Sequence, residues 1–129
     1  MGVLTVTKVS VLVVDDYKIV RDVVRALLES DPGVQVVGEA CDGVEAVDLV
    51  SYLQPDVIVM DISMPRMNGL EATRSIKEKW PTITVILTTA LPAPSYQDIS
   101  DLCGANAFLA KENIPLQLLP IIHRMVRIA

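Results

Sequence analysis

Acidic, hydroxyl and basic side chains follow the apolar segments of this sequence, each at the end of a separate segment. In chain order they are Asp15 with Asp16, then Asp61, Thr89 and Lys111. A carboxylate at the end of an apolar segment is unfavourable for stability unless something binds it. Carboxylates brought close together raise one another's pKa, and a divalent cation removes that conflict. Because carboxylates offer only oxygen ligands, the cation that this set favours is Mg²⁺.

Together these groups suit the transfer of a phosphoryl group to a carboxylate. A cation and the Lys111 ammonium would neutralise the transferring oxygens, and a threonine hydroxyl would donate a hydrogen bond to the product. Each residue taken alone has an ordinary structural explanation, since the acidic pair can cap a helix, Asp61 can begin a turn, and lysine is usually a surface charge. Their joint order along the chain favours a site over separate structural roles.

The apolar segments ahead of these residues are short and rich in β-branched side chains. Both faces of each segment are apolar, which is typical of parallel strands that helices cover on both sides. We predict strands over Val9–Val14, Val34–Gly38, Asp56–Met60, Ile83–Leu87 and Asn106–Ala110.

Helical periodicity fills the intervals between the predicted strands. The apolar face of the first helix consists of Val20, Val23, Val24, Leu27 and Leu28. Asp16 stands just ahead of it, in position to cap its N-terminus. We predict the other helices over about Gly43–Leu53 and Leu70–Trp80, between Ser95 and Gly104, and from Pro115 onward. Pro120 would fall inside the fifth helix, so we expect either a bend there or a helix that begins near Pro120.

Five successive strand–helix units predict an α/β fold. We expect a flavodoxin-like (βα)5 three-layer sandwich around a parallel five-stranded sheet in the order 2-1-3-4-5. Right-handed crossovers place the carboxyl ends of all strands at one edge. Ligands bind outside that edge where the strand order reverses, between the first and third strands. This fold would gather the chemically active side chains in one crevice.

Length, charge and cysteine pattern argue against several other kinds of protein. The 129 residues suit one domain, and a formal net charge of −5 disfavours direct nucleic-acid binding. Cys41 and Cys103 form no C-x-x-C pair, which argues against a zinc or redox site and indicates two buried thiols in a reducing compartment. The first residues lack the features of a signal peptide, and no apolar run approaches the roughly 20 residues that span a bilayer. We therefore expect a cytoplasmic protein without a membrane segment.

The sequence resembles the receiver domain of bacterial two-component response regulators. The resemblance rests on Asp15–Asp16, on "DISMPRMNG" from Asp61 to Gly69, on Thr89–Ala90, on Gly104–Ala105 and on Lys111. It covers about residues 8–128, and the D-x-x-M-P-x-M-N-G pattern among the other marks is very specific. It implies an N-terminal extension over residues 1–7 and a receiver domain over residues 8–129.

The resemblance implies a role for each matched residue. Asp61 would accept a phosphoryl group from a histidine of a sensor kinase. Mg²⁺ would be ligated directly by Asp16, Asp61 and the backbone carbonyl of Ser63, while Asp15 would act mainly through water. Lys111 would pair with the phosphoryl oxygens.

The resemblance also implies a switch that reports phosphorylation to a partner. Of the two threonines at the fourth strand end, Thr89 matches the family's switch hydroxyl by its spacing from Gly104 and Lys111, and Phe108 matches its rotating aromatic. The phosphoryl group would pull Thr89 inward and Phe108 would fill the vacated space. The face formed by the fourth helix, fifth strand and fifth helix would then change, which shifts a population between two states.

The implied partners follow from the same family. The segments "VVGEACDGVEAV" and "GANAFLAKE" resemble receivers that precede LuxR-type helix-turn-helix domains. We therefore expect a DNA-binding output domain outside this chain, control of transcription, and homodimerisation through the face of the fourth and fifth helices.

Three alternatives fit the residues less well. An aspartate-nucleophile phosphatase of the haloacid dehalogenase type would carry a second acid two residues after the nucleophile, where this sequence has Ser63. A flavodoxin-like mononucleotide binder needs a hydroxyl- or glycine-rich loop after the first strand, where this sequence is acidic. A degenerate receiver used only for docking is disfavoured by the full set of active residues. We expect a signalling domain and not an enzyme, beyond its own phosphorylation and dephosphorylation.

Overall fold

A single parallel sheet organises the molecule. The computed structural model describes residues 8–90, 101 and 103–126. Its strands are β1 (Val9–Val14), β2 (Val34–Ala40), β3 (Val57–Asp61), β4 (Thr84–Thr89) and β5 (Ala107–Ala110). They lie side by side in the order β2-β1-β3-β4-β5. The predicted flavodoxin-like α/β architecture is therefore confirmed, with strand ends that differ from the predicted ones by at most two residues.

Helices cover both faces of this sheet. They are α1 (Lys18–Glu29), α2 (Gly43–Leu53), α3 (Gly69–Lys79) and α4 (Ile114–Met125), and a single 3₁₀ turn (Lys111–Asn113) leads into α4. The α4 helix corresponds to the fifth helix predicted from the sequence. Most of the segment predicted as the fourth helix lies outside the described residues. None of the described helices is both long enough and apolar enough to cross a membrane.

Alternating strand residues supply the two halves of the core. Residues such as Val11, Val13 and Val57 pack on the face covered by α1 and α4, which contribute Val24, Leu28, Leu118 and Ile122. Their neighbours Leu12, Val14, Ile58 and Met60 pack on the opposite face, against Ala46 and Val50 of α2 and Ala72 and Ile76 of α3. Burial on both faces explains why these strands are apolar throughout. It also fixes the register that aligns the strand ends.

The register of strand pairing aligns the strand ends that carry the chemically active residues. The last residue of β1 pairs with Met60 of β3, so Asp15 and Asp61 come next on adjacent strands. Thr89 closes β4 opposite the last residue of β5, and Lys111 follows directly. The predicted gathering of these residues at one edge is thus a consequence of the pairing.

Two expectations for α1 are wrong. The residue at the N-cap is Tyr17 and no side chain caps the helix, so Asp16 does not have the predicted capping role. Its carboxylate lies instead beside those of Asp15 and Asp61. Val23 is 57% exposed, because α1 buries a narrower stripe, centred on Val24 and Leu28.

Two further expectations are settled by α4 and the cysteines. The helix runs from Ile114 through Pro120, so the alternative start near Pro120 is wrong. The hydrogen bond that a proline cannot donate would have reached the carbonyl of Leu116, on the exposed face of the helix. Cys103 is buried as expected, but Cys41 is exposed.

Candidate functional site

Three carboxylates meet at the carboxyl edge of the sheet. One oxygen from each of Asp15, Asp16 and Asp61 lies within 4.8 Å of the other two. Asp15 and Asp61 are buried, and Asp16 is half-buried. Such a cluster is unfavourable when all three groups are ionised, so the site requires positive charge from elsewhere.

The main-chain and side-chain polar groups of Asp15 are all bonded within the protein. Its N–H donates to the carbonyl of Ala40 at 3.1 Å, which continues the pairing of β1 with β2. Its carbonyl accepts a hydrogen bond from the guanidinium of Arg21 at 2.7 Å. Its Oδ1 accepts from the N–H of Tyr17 at 2.9 Å, and its Oδ2 lies 2.7 Å from Nζ of Lys111. Asp15 is therefore fixed and neutralised by its neighbours.

Asp16 has the opposite character. Its Oδ1 is inaccessible to solvent and has no hydrogen-bond partner among the residues that the structure describes. A buried carboxylate oxygen without a partner is costly in free energy, so native sites usually supply one. An oxygen of the same Asp16 carboxylate lies within 4.8 Å of an oxygen of Asp61. The arrangement fits a cation held between these two groups.

Asp61 lies between donors and a competing acid. Its Oδ1 accepts a long hydrogen bond of 3.3 Å from the N–H of Ser63, and its Oδ2 lies 3.4 Å from Nζ of Lys111. Burial and, to a lesser extent, the Asp15 carboxylate outweigh the opposing effects of Lys111 and the Ser63 N–H, and together they raise the pKa of Asp61 to about 6. Without a cation, Asp61 is therefore only weakly held in its ionised form.

Lys111 bridges the two acids from the end of β5. The 3₁₀ turn that starts at this residue brings its side chain back to the crevice, where only 17% of it is exposed. Burial by itself lowers the pKa of Lys111, but contacts with Asp15 and Asp61 raise it above its ordinary value. The ammonium is thus a permanent positive charge beside Asp61.

A cleft of about 270 Å³ opens over Asp61. Its walls are formed by Asp16, Tyr17, Asp61, Ser63, Thr89, Ala90 and Lys111. Thr89, and not its neighbour Thr88, is on the wall of the cleft. Phe108 lies outside these walls, half-buried on β5 and packed on the core face of α2 and α3. The structure therefore gathers the predicted residues around one opening, with Asp15 behind it and Phe108 apart.

The loop after β3 depends on two close backbone approaches. A Cβ atom on Gly69 would lie 2.3 Å from the carbonyl oxygen of Asp61, so only glycine fits there. Asn68 then starts α3 through a capping box with Glu71. The N–H of Gly43 donates to the carbonyl of Met67, which ties the loop to the start of α2. These contacts hold Asp61 at the floor of the cleft.

Four charged residues that support the site were not predicted. Asp42 and Arg66 form an ion pair of 2.8 Å between the start of α2 and the loop after β3. Arg21 and Glu39 form another of 3.1 Å behind Asp15. Charged residues on helices and loops usually read as surface positions, so composition and periodicity give no signal for these pairs.

Comparison with known proteins identifies the family. Residues 11–123 match the response regulator receiver domain. The chain belongs to this family. The receiver resemblance deduced from the strand-end residues is therefore confirmed, and signalling through a phosphorylation switch is the activity that the family supports.

Relatives of this receiver domain have different overall functions. It is 40% identical over 119 residues to the nitrate/nitrite response regulator protein NarP of Escherichia coli (strain K12), with coverage of 91% of this chain and 54% of that protein. It is 49% identical over 88 residues to a protein-glutamate methylesterase/protein-glutamine glutaminase of Pyrococcus abyssi, with coverage of 68% of this chain and 24% of that protein. The chain thus spans about a quarter of the length of that methylesterase.

A solved structure agrees with the fold. A two-component response regulator of the LuxR family from Aurantimonas sp. SI85-9A1 superposes with a TM-score of 0.88 at 32% identity, over 92% of this chain and 85% of that one. This receiver domain therefore has structural neighbours among LuxR-family regulators as well as sequence relatives among methylesterases.

Proposed function

We propose that this receiver domain accepts a phosphoryl group on Asp61 from a phosphohistidine of a sensor kinase and thereby controls an output domain or partner. The observation that carries the proposal is the pair formed by the partnerless buried oxygen of Asp16 and the carboxylate of Asp61, with Lys111 alongside. A carboxylate built only for stability would have its own partners. Asp61 instead stands at the floor of an open cleft, beside the partnerless oxygen of Asp16.

The residues at the cleft fit Mg²⁺. Asp16 and Asp61 would hold it directly with the backbone carbonyl of Ser63, and Asp15 would act through water because its own oxygens are already bonded. Carboxylate and carbonyl oxygens are the ligands that Mg²⁺ prefers in proteins. Bound there, Mg²⁺ would supply positive charge to the non-bridging phosphoryl oxygens.

The transfer itself is an in-line displacement. A carboxylate oxygen of Asp61 forms a bond to phosphorus while the bond between phosphorus and the imidazole nitrogen of the donor breaks. The electron pair of that bond stays on the nitrogen, and because the other ring nitrogen of the donor carries a proton, the products are an acyl phosphate and a neutral imidazole. Lys111 would neutralise charge on the transferring oxygens, and Thr89 would donate a hydrogen bond to the product.

The proposed response uses Thr89 and Phe108. Thr89 lines the cleft, and Phe108 lies on the neighbouring strand β5 with partial exposure. Movement of the hydroxyl towards the phosphoryl group would allow the ring to turn inward. The face next to β5 and α4 would change with it, and the remaining part of that face lies outside the described residues.

We further propose a LuxR-type DNA-binding output domain and a role in the control of transcription in the cytoplasm. Support comes from the long match to NarP and from the superposition on a LuxR-family regulator. The methylesterase relatives make an enzymatic output the second candidate, since their match to this chain is closer in identity but shorter. Homodimerisation through the face that α4 forms with the predicted fourth helix belongs to the same proposal, and scattering measurements with and without a phosphoryl mimic would test it.

Intact mass after incubation with acetyl phosphate and Mg²⁺ tests the proposal. We expect wild type to gain one phosphoryl group, which hydroxylamine removes, and Asp61→Asn to gain none. The control is Asp56→Asn, because Asp56 stands at the other end of β3 and its side chain accepts hydrogen bonds there from Ser10. That variant should be phosphorylated like wild type, and a chelator should abolish the reaction in both.

Two outcomes would contradict the proposal. Equal phosphorylation of Asp61→Asn and wild type would move the acceptor elsewhere. No phosphorylation of wild type, either by acetyl phosphate or by phosphorylated histidine kinases, would favour a domain used only for docking.

A further inference from the structure

Arg21 is held directly behind the acidic pair. It belongs to the first turn of α1, and its Nη1 donates to the backbone carbonyl of Asp15 at 2.7 Å. Its Nε lies 3.1 Å from Oε1 of Glu39, near the end of β2. One guanidinium therefore joins the end of β1, the start of α1 and the end of β2.

This guanidinium differs from an ordinary surface charge. Only 16% of the Arg21 side chain is exposed. Arg25, one turn further along α1, binds the other oxygen of Glu39 at 2.9 Å but is 43% exposed. Arg25 also pairs with Glu29 on its own helix. Within the described residues it makes no hydrogen bond to the turn that carries Asp15 and Asp16. The two arginines share one partner, and only Arg21 reaches the backbone of the site.

On its other side, the turn between β1 and α1 is held by the hydrogen bond from the Tyr17 N–H to Asp15 Oδ1. No side chain caps α1, and its N-cap residue is Tyr17. The carbonyl of Asp15 belongs to the peptide plane that links Asp15 to Asp16. A hydrogen bond to that carbonyl therefore fixes the plane from which the Asp16 side chain leaves the backbone.

We infer that Arg21, held by Glu39, is a positioning residue for the cation site. It orients the Asp15–Asp16 peptide and so holds the Asp16 carboxylate in the cluster with Asp61. The inference rests on the proposed function, because it concerns the same Mg²⁺ site. Groups that orient metal ligands from behind typically change metal affinity when they are removed, even though they touch no metal.

Calorimetric titration of Mg²⁺ into the unphosphorylated protein tests the inference. We expect Arg21→Ala to weaken Mg²⁺ binding about tenfold or more, and Arg25→Ala to stay within about twofold of wild type. Arg21→Lys keeps the charge but lacks the planar fork that serves two acceptors, so an intermediate affinity is expected. Glu39→Ala should weaken binding in wild type and have no further effect in the Arg21→Ala background.

Phosphorylation kinetics separate positioning from general loss of stability. The Mg²⁺ concentration that gives half the maximal rate with acetyl phosphate should rise in Arg21→Ala, while the rate at saturating Mg²⁺ should remain close to that of wild type. If Arg21→Ala fails to fold, Arg21→Lys carries the same comparison against Arg25→Ala.

Each outcome decides between the proposals. Wild-type Mg²⁺ affinity in Arg21→Ala, or in Arg21→Lys where Arg21→Ala does not fold, would overturn the inference and leave the proposed function intact. Equal losses in Arg21→Ala and Arg25→Ala would overturn it as well, since only Arg21 contacts the turn. A wild-type protein that is not phosphorylated and binds no Mg²⁺ would overturn both.

Discussion

Asp42, at the start of α2, and Asp61, at the end of β3, have the same solvent exposure but behave in opposite ways. Each is 4% exposed. The N–H of Glu45 and the guanidinium of Arg66 hold the pKa of Asp42 below its usual range. Burial, helped by the competing charge of Asp15, raises the pKa of Asp61 to about 6. Two carboxylates of equal solvent exposure therefore differ in the stability of their ionised forms.

The depth of burial and the partners together explain the difference, because desolvation dominates at Asp61 whereas hydrogen bonds dominate at Asp42. Asp42 accepts a hydrogen bond of 2.9 Å from the Glu45 N–H and another from Arg66, so the fold itself satisfies its charge. Asp61 shares its edge with Asp15 and Asp16 and has only one ammonium nearby, at 3.4 Å. A carboxylate used for structure is neutralised by the chain. A carboxylate intended for an external cation and phosphoryl group keeps part of its charge uncompensated.

Neutralising Asp61 should give the largest effect on stability. A rise in pKa from 3.8 to about 6 corresponds to roughly 3 kcal/mol of unfavourable free energy in the ionised state. We therefore expect Asp61→Asn to raise the free energy of unfolding by up to about 3 kcal/mol at pH 7.5 without metal, by urea denaturation. A variant no more stable than wild type would contradict this account of the site.

The pH dependence of that gain has a defined sign. Because the folded protein binds the Asp61 proton more tightly than the unfolded chain does, wild-type stability should fall as pH rises from about 4 to 6. Asp61→Asn lacks this contribution. The difference in the free energy of unfolding between Asp61→Asn and wild type should grow through that interval and stay constant above it.

The sequence predicts the strand ends well because their signals are local. Apolar, β-branched runs specify the five strands, and the right-handed crossover rule then places Asp15, Asp61, Thr89 and Lys111 at one edge without any knowledge of distances. Both Thr88 and Thr89 stand at the end of the fourth strand, and physical reasoning alone does not choose between them. The choice of Thr89 as the switch hydroxyl comes from the family resemblance. The structure places Thr89 on the cleft wall.

The supporting charges could not be predicted in the same way. Arg21 and Glu39 are 18 residues apart, and Asp42 and Arg66 are 24 apart, so each pair exists only once the sheet and its loops are assembled. The capping role expected for Asp16 failed for a related reason. A local pattern that suits a helix cap was overridden by a tertiary arrangement that turns the same carboxylate towards Asp61.

Removing Asp42 should lower the free energy of unfolding, whereas Asp61→Asn should raise it, and the change should be smaller in magnitude. Asp42→Ala loses the N-cap of α2 and the pair with Arg66, so we expect the free energy of unfolding to fall by about 2 kcal/mol. Asp42→Asn keeps a cap acceptor and should lose about half as much. Because the pKa of Asp42 is lowered in the folded protein, its contribution is present above pH 4 and lost as pH falls through the folded value. Urea denaturation at pH 7 and pH 3 would check this, and stabilisation by either variant would refute it.

Adding Mg²⁺ should reduce the difference between Asp42 and Asp61, because a bound cation stabilises the ionised form of Asp61. A ligand that binds only the folded state at about ten times its dissociation constant stabilises by about 1.4 kcal/mol. We expect this increase in wild type and in Asp42→Asn, because Asp42 lies outside the acidic cluster, and a much smaller one in Asp16→Asn and Asp61→Asn. Bound cation should also flatten the fall in wild-type stability between about pH 4 and 6, since the added positive charge favours ionised Asp61. Thermal unfolding with and without Mg²⁺ measures both effects. An equal increase in all four proteins would mean that Mg²⁺ binds elsewhere, and the partnerless oxygen of Asp16 would then need another explanation.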